Sequence, residues 1–133
     1  MVDLTTIHAL IIDDDHASVD VIAALLDQVG AGYSALSTSD NIVNTIRALD
    51  HQVDVIFLDL EMPVRNGYEV LIDLRDQLGI GVPIVAYTAH TSEIVDARDA
   101  GFHSFLGKPL NGGKFAAQLT DILNNRPVWS RAS

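Results

Sequence analysis

Apolar residues cluster in short runs that are rich in Ile, Val, Leu and Phe and alternate little with polar residues. Four strong runs cover residues 7–12, 53–58, 82–88 and 104–107, and a weaker run covers residues 33–36. Strands that are covered on both faces have this composition, because neither face meets water. The pattern therefore predicts five strands in the interior of the protein.

Between these runs, apolar residues recur with the period of an α-helix. The helical segments are residues 17–29, 40–49, 67–78, 92–100 and 112–124. Their apolar positions fall three or four residues apart, which places them on one stripe of each helix. The predicted N-terminal caps are Ser39, Thr91 and Asn111, and the predicted helix stops are Gly30, Gly79 and Gly101.

Strict alternation of five strands and five helices predicts an α/β fold with a doubly wound, five-stranded parallel sheet and helices on both faces. A chain of 133 residues has the length of one domain. We expect that domain to span residues 1–125. The tail, residues 126–133, contains Pro127 and Trp129, and we expect it to leave the domain and to be partly disordered.

Composition excludes several classes of protein. Eighteen acidic residues against eight basic ones give a formal charge of −10, which argues against direct binding of nucleic acid. The absence of cysteine excludes disulfides and thiolate metal sites. The longest apolar run, residues 21–26, is far shorter than the roughly 20 residues of a membrane span. No basic residue precedes Arg47, so no signal peptide is expected, and the expected location is the cytoplasm.

Polar residues of matching chemistry follow four of the predicted strands. They are Asp13, Asp14 and Asp15 after the first strand, Asp59 at the end of the third, Thr88 at the end of the fourth and Lys108 after the fifth. Ligands of parallel sheets bind beyond these carboxyl ends. Taken alone, the acids also fit a turn or a helix cap, Thr88 fits a strand residue that caps the next turn, and Lys108 fits a solvated charge. The convergence of four strand ends therefore carries the prediction of a site.

Clustered acids at this site require a positive counter-charge. Two carboxylates about 4 Å apart repel each other by about 4 kcal/mol at an effective dielectric of about 20. Ligands that are all oxygen atoms favour Mg²⁺, Mn²⁺ or Ca²⁺. The set is equipped for phosphoryl transfer, with Asp59 as a carboxylate nucleophile and with Lys108 and the Thr88 hydroxyl holding phosphoryl oxygens.

Four segments resemble the response-regulator receiver domain of two-component signalling. They are LIIDDD at residues 10–15, VIFLDLEMPVRNG at residues 55–67, IVAYTA at residues 84–89 and FLGKP at residues 105–109. The resemblance covers about residues 6–124. It implies a flavodoxin-like fold with the strand order 2-1-3-4-5.

The resemblance also implies the metal site and the phosphoacceptor. Asp59 is then the phosphoacceptor and a metal ligand, Asp14 binds Mg²⁺ directly, and Asp13 binds it through water. Glu61 contributes its backbone carbonyl oxygen, and Mn²⁺ is an alternative ion. Asp15 is expected to cap the following helix instead.

A switch that connects the site to a partner surface is implied as well. Thr88 and Lys108 hold the phosphoryl group, and Phe105 moves inward from an exposed position when Thr88 is drawn toward the phosphate. A cis peptide is implied between Lys108 and Pro109. The surface that changes lies along residues 92–114, and its candidate partner contacts are Ile94, Val95, Phe102 and Lys114.

In this interpretation the chain is a stand-alone response regulator, because no output domain is attached to it. It accepts a phosphoryl group from a phosphohistidine of a histidine kinase or histidine phosphotransfer protein, and it signals to a downstream protein effector. A phosphorylation-linked dimer is also expected. The chain is not an enzyme with a separate substrate, although it takes part in its own phosphorylation and autodephosphorylation. Neither nucleic acid nor membrane is an expected partner.

Two alternatives remain open. One is a receiver-like interaction module that is not phosphorylated, although such modules usually lose an acid, the Thr or the Lys. The other is a haloacid-dehalogenase-like phosphatase, which also uses an Asp nucleophile. Against the phosphatase, the residue two positions after Asp59 is Glu61, and 133 residues leave no room for a cap domain.

The histidines contain no pair at helical i, i+4 spacing that would suit zinc. They are His8, His16, His51, His90 and His103. We interpret them as structural or surface residues, with one exception. His90 follows Thr88 by two residues and therefore could border the phosphoryl group.

Overall fold

The computed structural model describes residues 2–38, 40–49 and 52–131. Its strands are β1 (His8–Ile12), β2 (Gly32–Leu36), β3 (Val55–Asp59), β4 (Ile84–Thr88), β5 (Ser104–Gly107) and β6 (Trp129–Ser130). Its α-helices are α1 (His16–Gln28), α2 (Ile42–Arg47), α3 (Gly67–Asp76), α4 (Ile94–Ala100) and α5 (Phe115–Leu123). Two short 3₁₀ helices, Leu4–Thr6 and Thr91–Glu93, precede β1 and α4.

The strands form one parallel sheet in the order β2-β1-β3-β4-β5-β6. The predicted doubly wound α/β fold and the order of its first five strands are confirmed. The predicted number of strands is wrong, because β6 extends the sheet beyond β5. Within the described residues, no helix has the length and hydropathy needed to cross a membrane.

Two apolar layers cover the sheet. The layer beneath α1 and α5 contains Ala9 and Ile11 of β1, and the layer beneath α2, α3 and α4 contains Leu10 and Ile12. Successive side chains of a strand point to opposite faces, so β1 contributes to both layers. The continuous apolar runs of the sequence reflect this two-sided burial.

Helix ends follow the sequence signals in part. Asp15 caps α1 by accepting a hydrogen bond from the backbone N–H of Ala17, as expected. Positive φ angles at the three predicted stops, Gly30, Gly79 and Gly101, suit glycine, which lacks a Cβ. The caps predicted at Thr91 and Asn111 are wrong, because α4 is preceded by Glu93 and α5 by Lys114. The third predicted cap, Ser39, lies outside the described residues.

The tail adds a strand to the sheet rather than leaving the domain. The Phe105 N–H donates a hydrogen bond to the carbonyl oxygen of Val128 (2.8 Å), and the Val128 N–H donates to Ser104 Oγ (3.0 Å). Trp129 packs against the layer beneath α2, α3 and α4, and the Arg98 guanidinium lies 5.1 Å from the centre of its ring. The expectation that the tail leaves the domain is therefore wrong for residues 128–130, because β5 offers them an open edge.

Trp129→Ala should lower the free energy of unfolding by about 1–3 kcal/mol, because it removes a partly buried ring and its contact with Arg98. Urea denaturation followed by far-UV circular dichroism measures this loss. Ser130→Ala is the matched control on the same strand and should change stability by less than about 0.5 kcal/mol. Equal stability of Trp129→Ala and the wild type would show that the Trp129 ring contributes nothing to the stability of the fold.

Candidate functional site

Three carboxylates meet at the carboxyl edge of the sheet. Asp13 and Asp14 follow β1, and Asp59 is the last residue of β3, the parallel neighbour of β1. Oxygen atoms of these three side chains lie within 4.8 Å of one another. Asp13 and Asp59 are buried, whereas Asp14 is exposed. The structure therefore brings together the three acids that the sequence assigned to one site.

Lys108 provides positive charge inside this acid cluster. Its Nζ lies 2.9 Å from Asp13 Oδ2 and 3.9 Å from Asp59 Oδ1. It also lies 4.6 Å from the centre of the Tyr87 ring, which supports the ammonium from β4. The Lys108 N–H donates to the carbonyl oxygen of Thr88 (2.8 Å), and the Lys108–Pro109 peptide is cis, as the resemblance implied.

The environment of Asp59 opposes its ionisation. Burial raises the pKa of Asp59 to about 7, and the nearby Asp13 acts in the same direction. The Glu61 N–H, which donates to Asp59 Oδ1 (3.1 Å), and the charge of Lys108 act against this rise. The single positive charge of Lys108 thus does not balance the negative charge that three ionised carboxylates would carry.

A divalent cation fits this donor set. The three carboxylates supply the oxygen ligands that Mg²⁺ and Mn²⁺ prefer, and the exposed Asp14 is open to an ion arriving from water. Each Asp13 oxygen already accepts a hydrogen bond, from the Asp15 N–H (2.9 Å) and from Lys108. Asp13 is therefore held in place within the cluster before any ion binds.

Asp15 belongs to the helix and not to the acid cluster. Its Oδ2 accepts a hydrogen bond from the Ser18 hydroxyl (2.9 Å), and this bond is the main cause of its lowered pKa. The carboxylate is exposed at the start of α1. The division of the acidic run into two site residues and one cap agrees with the expectation.

Thr88 and Phe105 occupy neighbouring strands near the acids. Thr88 is buried at the end of β4, and its Oγ1 accepts a hydrogen bond from the His90 N–H (3.1 Å). Phe105 on β5 is 0% exposed and packs beneath α4. The expected exposed position of the Phe105 ring is therefore wrong for this structure, because the ring already lies in the core.

The predicted partner surface is only partly exposed. Val95 is 54% exposed, and Lys114 is also exposed. Ile94 and Phe102 are only 7% and 3% exposed, so their assignment as partner contacts is wrong. Ile94 faces the sheet from α4, and the Phe102 ring packs edge-on against Tyr68 at 5.9 Å.

Sequence reasoning missed two features near the site. One is Tyr87, whose ring lies beside Lys108; no local pattern marks it as anything but a strand residue. The other is a group formed by Glu61, His90 and Glu93, three potential metal ligands in two different loops. His103 bonds to Ser104 and Asn125, away from this group, and His51 lies outside the described residues.

Comparison with known sequences agrees with this geometry. A family model described as the response regulator receiver domain matches residues 9–120. The transcriptional regulatory protein CpxR of Klebsiella pneumoniae is 32% identical over 123 residues, covering 91% of this chain and 50% of that protein. The osmosensing histidine protein kinase SLN1 of Saccharomyces cerevisiae is 28% identical over 124 residues, covering 89% of this chain and 10% of that protein. The chain thus spans half or less of these curated relatives.

Solved structures share the fold. A two-component response regulator from Clostridium difficile superposes with a TM-score of 0.77 at 24% identity, covering 90% of this chain and 97% of that one. The receiver domain of the sensor histidine kinase PA1611 from Pseudomonas aeruginosa gives 0.75 at 24% identity, covering 88% and 97%. That second structure has a magnesium ion coordinated in its active site cleft.

Proposed function

Because this chain belongs to the response regulator receiver domain family, we propose that it accepts a phosphoryl group on the carboxylate of Asp59. The family recognised from the sequence is confirmed, and the chain is a receiver domain of two-component signalling. The proposed donor is a phosphohistidine of a histidine kinase or phosphotransfer protein. The observation that carries the proposal is the buried Asp59 carboxylate, surrounded by two further acids and the Lys108 ammonium.

The proposed reaction is an in-line transfer. A carboxylate oxygen of Asp59 forms a bond to phosphorus while the bond from phosphorus to the donor imidazole nitrogen breaks. The nitrogen keeps the electron pair, and the product is an acyl phosphate. Mg²⁺, held by Asp13, Asp14, Asp59 and the Glu61 carbonyl oxygen, would neutralise charge on the phosphoryl oxygens.

Lys108 and Thr88 are suited to hold the product. The Lys108 ammonium already lies between Asp13 and Asp59, so a small shift brings it to a phosphoryl oxygen. The Thr88 oxygen accepts a hydrogen bond from the His90 N–H, which leaves the hydroxyl proton free to be donated. Together these groups replace hydrogen bonds that water would make to the phosphate.

The proposed output is a protein contact on the surface of α4, β5 and the start of α5. Val95 and Lys114 are the predicted contacts that remain exposed there. The proposed recipient of the signal is a protein effector. A dimer that forms on phosphorylation is the other proposed use of this surface.

Incubation with Mg²⁺ and acetyl phosphate, followed by intact mass measurement, tests the proposal. We expect the gain of one phosphoryl group. An unmodified mass would favour the interaction module that keeps the fold without phosphorylation. Continuous turnover of a small phosphate ester would favour the phosphatase.

Asp14→Ala should weaken Mg²⁺ binding, because it removes an exposed carboxylate from the acid cluster. Isothermal titration calorimetry measures the affinity. Asp15→Ala is the matched control, because Asp15 caps α1 and should leave Mg²⁺ affinity close to that of the wild type. Unchanged affinity in Asp14→Ala would move the ion away from this cluster.

A further inference from the structure

A second group of metal-binding side chains lies beside the acid cluster. Glu61 belongs to the loop after β3, whereas His90 and Glu93 lie between β4 and α4. One ligand atom from each side chain lies within 4.8 Å of the other two. This group differs from the acid cluster in containing an imidazole. The two groups have no side chain in common, because the acid cluster consists of Asp13, Asp14 and Asp59.

The distance between the His90 imidazole and the Glu61 carboxylate suits a shared ion better than a direct hydrogen bond. His90 Nε2 and Glu61 Oε1 are 3.8 Å apart, which is too long for a hydrogen bond. Two ligands that bind one tetrahedral ion at about 2.1 Å lie about 3.4 Å apart. A shift of a few tenths of an ångström would therefore place both atoms on one ion.

Glu93 carries an independent sign that a ligand is missing. Its Oε1 accepts a hydrogen bond from the Tyr68 hydroxyl (3.1 Å), whereas its Oε2 is buried and has no hydrogen-bond partner among the described residues. Buried carboxylate oxygens normally have a partner, because burial removes their water. The Glu61 carboxylate faces Glu93, and burial together with this neighbour raises the pKa of Glu93. When both carboxylates are ionised, each can only accept, so neither satisfies the other. A cation would satisfy Oε2.

The surroundings hold the ligands and leave a path to water. The Tyr68 ring packs edge-on against Phe102, so its hydroxyl fixes one Glu93 oxygen and presents the carboxylate in one orientation. A cavity of about 430 Å³ is lined in part by Glu61, Tyr68 and Glu93. The His90 side chain is 60% exposed, so an ion and its waters can reach the group.

We propose that Glu61, His90 and Glu93 bind a first-row transition metal dication such as Zn²⁺, with water completing its coordination. An imidazole with two carboxylates suits Zn²⁺ and its neighbours, whereas Mg²⁺ prefers the all-oxygen ligands of the acid cluster. The bound ion joins the loop after Asp59 to the loop after Thr88. Its ligand side chains differ from those of the acid cluster, so the proposal does not rest on phosphorylation of Asp59.

Isothermal titration with Zn²⁺ in the presence of excess Mg²⁺ tests the site on the full chain. We expect His90→Ala and Glu93→Gln each to weaken Zn²⁺ binding about tenfold or more, because each removes a ligand. Tyr68→Phe should also weaken Zn²⁺ binding, since loss of a hydrogen bond to a metal ligand commonly costs about 10-fold to 100-fold in metal affinity. The imidazole proton resonances of His90 should shift as Zn²⁺ is added.

His16→Ala is the matched control, because His16 is an exposed histidine near the acidic run and outside the proposed group. It should bind Zn²⁺ as the wild type does, and so should Asp14→Ala. Unchanged Zn²⁺ affinity in both His90→Ala and Glu93→Gln would overturn the proposal. Loss of Zn²⁺ binding in Asp14→Ala would overturn it too, by placing the ion in the acid cluster. If Glu93→Gln does not fold, the Zn²⁺ affinity of His90→Ala alone tests the proposal, since the His90 side chain is mostly exposed.

Discussion

Asp59→Asn should carry no phosphoryl group after incubation with Mg²⁺ and acetyl phosphate, whereas the wild type should gain one. The amide that replaces the carboxylate is not a nucleophile, and the other two acids of the cluster are poor substitutes. Both Asp13 oxygens are engaged, by Lys108 and by the Asp15 N–H, and Asp14 is exposed to water. The loss should therefore be complete. Intact mass measures it directly.

Two controls separate loss of the phosphoacceptor from loss of the fold. Asp15→Asn changes a neighbouring acid in the same manner, and it should still be labelled because Asp15 lies outside the cluster. Thermal melting should show Asp59→Asn to be at least as stable as the metal-free wild type above pH 7. Burial raises the pKa of Asp59, so the ionised carboxylate costs stability there and a neutral amide removes that cost. Undiminished labelling of Asp59→Asn would show that Asp59 is not the phosphoacceptor.

Phe105→Ala should lower the free energy of unfolding by about 3–5 kcal/mol, because the ring is 0% exposed and its removal leaves a cavity in the core. Urea denaturation measures this change. Phe105→Leu, which keeps most of the volume, should cost less than about 1.5 kcal/mol. Val95→Ala, at an exposed position of the neighbouring helix, should stay within about 0.5 kcal/mol of the wild type. A loss below about 1 kcal/mol in Phe105→Ala, roughly a quarter of the expected effect, would contradict the packing.

Phe105→Leu, which keeps most of the ring's volume, also tests whether the signal passes through Phe105. Phe105 shares the core layer beneath α4 with Ile94 and Ala97, so we expect a displacement of the ring to move the inner face of that helix. Phe105→Leu should be labelled like the wild type, yet its chemical-shift changes along residues 92–114 on phosphorylation should be reduced. Unaltered shifts in that variant would mean that the signal bypasses Phe105.

Local pattern was enough to predict most of the sheet and the positions of the site residues. The strand at Ser104–Gly107 has the predicted bounds, and each of the other four predicted strands overlaps the observed one. Strands buried on both faces must be apolar throughout, so their ends are visible where polar residues begin. Asp59 and Thr88 are polar residues at such ends, which is why the sequence alone could assign them to one edge.

The amino-acid sequence by itself determined the alternating fold, the acids and the lysine of the site, because each of these is marked by neighbours along the chain. Tertiary structure alone decided that residues 129–130 form β6, since a two-residue strand has no period and depends on the open edge of β5. It also decided that Ile94 and Phe102 are buried, and that Glu61 and Glu93 meet at His90. These outcomes depend on contacts between segments far apart in sequence, which no local pattern encodes.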